Sequence, residues 1–106
     1  MRLKGGDSHS MKIVVVDDIA VNRELPREMF KAEGHSTLEA ADGVEALQIL
    51  SCEKVDAVLT DVLMPRMDGY RLCHKIRTTD RLRDLPIVIY TSTYTSPSDE
   101  TMRSWP

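Results

Sequence analysis

At 106 residues, with 42% hydrophobic and 29% charged side chains, the chain has the make-up of one small globular domain and not of a disordered segment, which would carry fewer apolar residues and a larger charge imbalance. A net charge of -3, with no dense Lys/Arg stripe, argues against nucleic acid as a direct partner. Apolar runs are far too short for a membrane span, no secretory signal opens the chain, and Cys52 and Cys73 fit neither a disulfide framework nor a close metal-binding pair, so the default expectation is a cytoplasmic protein with reduced thiols.

Residues 1–10, MRLKGGDSHS, have no apolar period and read as a flexible leader or expression scar, which leaves 11–106 as the domain. Ile13 to Val16 is β-branched throughout and stops at Asp17-Asp18, the pattern of a buried strand. Ala20 to Glu33 follows as a helix, with Val21, Leu25 and Met29 at helical spacing and Gly34 as a C-terminal stop. Pro26 either kinks this helix or marks its real start. Ser36 to Ala40 reads as a short strand, and Asp42 as the N-cap of a helix from Gly43 to Leu50. Val55 to Thr60 is a further strand, ending in Asp61. A loop holding Met64, Pro65 and Gly69 leads to a helix over Tyr70 to Arg77, with Leu72 and Ile76 on one face. Ile87 to Tyr90 is a fourth strand, closed by Thr91, and Ser96-Pro97 reads as another helix opening. Strands alternating with helices predict an α/β fold with a mostly parallel sheet covered on both faces.

The acids fall where such a sheet does its chemistry. Ligands of open parallel α/β sheets bind beyond the carboxyl ends of the strands. Asp17 and Asp18 end the first strand, Asp61 the third, and Thr91 the fourth. If the first and third strands are neighbours, three carboxylates converge, and a divalent cation relieves their repulsion. Carboxylate oxygens with no soft ligand among them point to Mg²⁺ and away from zinc.

The motifs Ile13-Val14-Val15-Val16-Asp17-Asp18, Val58-Leu59-Thr60-Asp61-Val62-Leu63-Met64-Pro65, Asp68-Gly69 and Pro86-Ile87-Val88-Ile89-Tyr90-Thr91 together resemble response-regulator receiver domains over roughly Lys12 to Met102. Asn22-Arg23-Glu24-Leu25, a helix start like that of receivers in hybrid histidine kinases, and Ala41 to Leu47 add to the likeness. The resemblance implies a flavodoxin-like (CheY-like) doubly wound sheet of strand order 2-1-3-4, with the fifth strand and helix missing. It makes Asp61 the phosphoacceptor and gives Mg²⁺ the ligands Asp18, Asp61 and the Leu63 backbone carbonyl, with Asp17 acting through a water. Thr91 becomes the switch hydroxyl, and Met64-Pro65 and Asp68-Gly69 shape the adjoining loop. A sensor histidine kinase or histidine phosphotransfer protein is the implied donor.

Departures from the family pattern bring expectations of their own. No residue matches the fifth-strand lysine that binds the phosphoryl group, and Tyr90, Tyr94 and Trp105 do not stand where the fifth-strand aromatic belongs. Weakened phosphorylation and self-association through an exposed strand edge are therefore expected. The alternative to a phosphorylated switch is a degenerate receiver that docks partners without phosphotransfer. A haloacid-dehalogenase-type phosphatase would need an aspartate where Leu63 stands.

Overall fold

Four consecutive β-branched side chains suit only a strand buried on both sides. In the structure, a computed structural model describing residues 10–64 and 66–91, they lie within β1 (Lys12–Val16), where Ile13, Val14, Val15 and Val16 are all buried. The chain continues as α1 (Ala20–Ala32), β2 (Ser36–Ala40), α2 (Gly43–Cys52), β3 (Ala57–Asp61), α3 (Gly69–Arg77), a single 3₁₀ turn (Asp80–Leu82) and β4 (Ile87–Tyr90). The strands form one sheet in the order β2-β1-β3-β4 with every pairing parallel, as expected for the flavodoxin-like arrangement. The leader of residues 1–10 lies outside the described residues except for Ser10, and so does the helix expected after Ser96.

Handedness decides which helix covers which face. The crossover from β1 to β2 runs one way along the sheet, whereas those from β2 to β3 and β3 to β4 run the other. Right-handed crossovers therefore put α1 on one face and α2 with α3 on the opposite one. On the α2/α3 face, Val14, Val16 and Val58 meet Ala46, Leu50, Leu72 and Ile76 in a closed apolar cluster. By alternation, Ile13 and Val15 point to the α1 side.

Local chemistry sets the boundaries. Gly34 adopts a φ of +89° and closes α1 in a Schellman arrangement, in which His35 N donates to Phe30 O and Gly34 N to Lys31 O. Pro26 neither begins nor ends α1, which runs through it from Ala20. Asp42 caps α2 by accepting from Glu45 N at 2.9 Å, while the Glu45 carboxylate accepts from Ala41 N at 2.7 Å. The third strand starts later than Val55 and includes Asp61. Asp56 is drawn aside by two bonds to Lys12, and Asp61 still pairs with Tyr90.

One stripe behaves unlike its pattern. Val21, Leu25 and Met29, which signal the first helix by their spacing, are 62%, 67% and 59% exposed. The half-buried side of α1 is Asn22, Arg23, Pro26, Arg27 and Phe30, and Arg23 and Arg27 both pair with Glu39 of β2.

Candidate functional site

Register builds the site. Val15 pairs with Leu59 and Leu59 with Val88, so these three share a row on the α1 side. Two residues further along each strand, the same row carries Asp17, Asp61 and Tyr90, at the carboxyl edge of the sheet. Asp17 and Asp61 are buried and Asp18 is exposed. One carboxylate oxygen from each of Asp17, Asp18 and Asp61 lies within 4.8 Å of the others, the convergence expected if strands 1 and 3 were adjacent.

Each acid is held by its surroundings. Asp17 Oδ1 accepts from Ile19 N at 2.9 Å and from Asn22 Nδ2 at 3.4 Å, both donors from the turn that opens α1. Asp17 Oδ2 accepts from the Tyr90 hydroxyl at 2.6 Å. Arg23 donates to the Asp17 carbonyl at 2.6 Å and to Glu39, tying the end of β1 to α1 and β2. Asp61 Oδ1 accepts from Leu63 N at 3.3 Å. Burial, and then the bond to Asp17, push the Tyr90 phenol above its ordinary range, and the negative charges of Asp17 and Asp61 push it further.

The loop after Asp61 is clamped against the strand end. A Cβ on Gly69 would stand 2.5 Å from the Asp61 carbonyl oxygen and 3.0 Å from Val62 Cα, so only glycine permits this closeness. Gly69 N donates to Val62 O at 3.0 Å, and Asp68 caps α3 by accepting from Arg71 N. Arg66, at a φ of +65°, reaches back to the Asp42 carboxylate with Nε and Nη2. The Asp42 carboxyl is held below its usual range by the Glu45 N–H first and Arg66 second, despite burial.

Of the residues singled out by sequence, Asp17, Asp18 and Asp61 come together, and Leu63 stands beside them with its N–H on Asp61. Thr91 follows β4 at the same edge and is exposed. Val62 N donates to Tyr90 O at 2.7 Å, which keeps the ends of β3 and β4 side by side. Tyr90 does not match a fifth-strand aromatic, so the family pattern assigns it no role. Strand alternation held the signal, since Tyr90 is level with Asp61 and on its face.

The donor set fits a hard divalent cation: three carboxylates, two of them buried, present oxygen only. Gathering such charges without a counter-ion is unfavourable, and a divalent cation held by these three carboxylates would relieve it.

Comparison with known proteins agrees with this arrangement. The response regulator receiver domain model matches residues 13–103. Response regulator MprA of Mycobacterium avium is 43% identical over 82 residues, covering 77% of this chain and 35% of that protein, so the chain spans about a third of that relative's length. The signal receiver domain of a histidine kinase from Syntrophus aciditrophicus superposes with a TM-score of 0.75 at 31% identity, over 89% of this chain and 70% of that one. The receiver domain of the sensor histidine kinase PA1611 from Pseudomonas aeruginosa, solved with a magnesium ion in its active-site cleft, shares the fold at a TM-score of 0.71 and 24% identity, over 90% of this chain and 93% of that one. With its parallel sheet in 2-1-3-4 order and its acids gathered at the carboxyl edge, the chain belongs to the response regulator receiver domains of two-component signalling.

Proposed function

We propose that this receiver accepts a phosphoryl group on Asp61 from a phosphohistidine of a sensor histidine kinase or histidine phosphotransfer protein, in a Mg²⁺-dependent reaction that switches partner binding. The convergence of Asp17, Asp18 and Asp61 supports this reading. A carboxylate oxygen of Asp61 forms the new O–P bond while the P–N bond of the donor breaks, and the electron pair leaves on the imidazole nitrogen, which takes up a proton. Such transfer asks for in-line positioning and charge neutralisation more than covalent machinery. Leu63 N–H steadies Asp61, and the Gly69 contact fixes the backbone that carries it. Asp18, Asp61 and the Leu63 carbonyl are the ligands assigned to Mg²⁺, with Asp17 acting through water. When bound, the ion supplies the positive charge that phosphoryl transfer requires. The Thr91 hydroxyl is assigned to the phosphoryl oxygens, so that its inward movement carries the signal to the surface.

Treatment with acetyl phosphate and Mg²⁺, followed by intact-mass spectrometry, tests the assignment. One phosphate is expected on the parent chain and none on Asp61→Asn. Labelling of both sinks the assignment of Asp61, and labelling of neither leaves the phosphorylation-independent docking module as the better reading. Self-association belongs to the same proposal. Among the described residues β4 has a strand neighbour on one side only and exposes Val88. A sedimentation coefficient that rises with concentration is the expected result, and a constant monomer value counts against it.

A further inference from the structure

Tyr90 stands at the last position of β4 and reaches over the end of β3 to β1, because β3 lies between those two strands. Its hydroxyl arrives on a fully buried carboxylate oxygen, Asp17 Oδ2, at 2.6 Å. The other oxygen of Asp17 is already engaged by donors from its own turn, Ile19 N and Asn22 Nδ2. A phenol O–H therefore lies against one of the three clustered carboxylates, where it offers the positive end of a dipole to an anion.

On the reading of this cluster as a Mg²⁺ site, the geometry points to Tyr90 as a positioning residue, a phenolic latch that holds Asp17 Oδ2 until the water joining Asp17 to a bound cation takes its place. With Oδ1 held by Ile19 and Asn22, Oδ2 is the oxygen left for the water that would link Asp17 to the ion, so whatever the O–H contributes to the metal-free site opposes binding of the metal. Displacing the hydroxyl also frees the ring from Asp17. Tyr90 directly precedes Thr91, so occupancy of the acidic site is passed to the end of β4 before any phosphoryl group arrives. The phenol is no catalytic group here; it acts through Asp17.

Isothermal titration with magnesium chloride alone, without a phosphodonor, separates this latch from a merely structural tyrosine. Tyr90→Phe keeps the ring and removes the hydroxyl, and it is expected to bind Mg²⁺ about tenfold more tightly than the parent, the value of one hydrogen bond to a charged group. Tyr90→Phe binding equal to or weaker than the parent overturns the latch. Asp18→Asn serves as the control for the site: Mg²⁺ binding in the parent and its loss in Asp18→Asn support the reading beneath the proposal. Unchanged binding in Asp18→Asn, or none in the parent, overturns that reading and the latch with it. A second measurement does not depend on how Tyr90→Phe folds. In a Tyr70→Phe/Tyr94→Phe chain, whose only tyrosine is Tyr90, Mg²⁺ is expected to shift the near-ultraviolet tyrosine band to shorter wavelength as the phenol loses its acceptor. A band that stays in place while Mg²⁺ binds overturns the latch.

Discussion

The two faces of the sheet carry helices of similar apolar periodicity whose marker residues meet opposite environments. Under α2 and α3, Leu50, Leu72 and Ile76 are fully buried against Val14, Val16 and Val58. On the α1 face, the Val21-Leu25-Met29 stripe is exposed, Val88 is exposed, and Arg23 and Arg27 tie the helix to the sheet with Glu39 as an ionic anchor. A helical apolar period thus predicts that a segment is a helix, but not that its stripe is covered, because covering requires a second element at the right place. The acidic site occupies the end of the more polar face, where Arg23 links Asp17 to that ionic anchor.

The largest effect should separate the faces by stability alone. Leu72→Ala opens a cavity in a closed cluster and is expected to cost about 3 kcal/mol, whereas Leu25→Ala removes an exposed side chain and should cost no more than about 0.5 kcal/mol. Urea unfolding of the two variants measures the difference. Equal losses would mean that Leu25 is covered in solution, and the contrast between the faces would collapse.

Gly69→Ala probes the seam between the packed face and the site. Gly69 opens α3 on the packed side, yet its missing Cβ is what lets the loop lie against the Asp61 carbonyl. Neither neighbour is a flexible side-chain end, so the added methyl must push backbone aside, at about 1–3 kcal/mol. Acetyl phosphate labelling of Asp61 should fall further than the loss of folded protein explains. Stability and labelling that match the parent would show that the contact is not tight.

Much of this was legible in the sequence, for physical reasons that differ from place to place. The first and third strands are readable because apolar, largely β-branched runs ended by acids have few other solutions, and the spacing of Leu72 and Ile76 puts them on the one face that is buried. Asp17, Asp18 and Asp61 could be assigned to one rim because parallel sheets collect strand ends there. The boundaries of β3 were less readable, since the Lys12–Asp56 bonds that delay its start join residues far apart in the chain. The same holds for the burial of α1 and for the clasp of Arg66 on Asp42, which depend on what lies opposite in space. Tyr90 falls between these cases. Its face follows from alternation, but its reach to Asp17 requires the order of the strands.

The smallest expected effect concerns the ionic anchor of the α1 face. Hydrogen bonding from Arg23 first, with Arg27 adding to it, holds the Glu39 carboxyl below its ordinary range against the opposing pull of burial. A carboxyl whose folded value is depressed contributes stability that is complete above its unfolded pKa, about 4.3, and lost as the pH falls through the lower folded value. Glu39→Gln should therefore cost less than about 1 kcal/mol at neutral pH, as partly exposed pairs do, and nothing once the parent's own carboxyl is protonated. Urea midpoints of the two chains should differ slightly at pH about 7 and converge only as the pH falls below the depressed folded value. A gap that persists unchanged into acid would assign the role of Glu39 to packing instead of charge, and would make the α1 face more like its opposite than its ion pairs suggest.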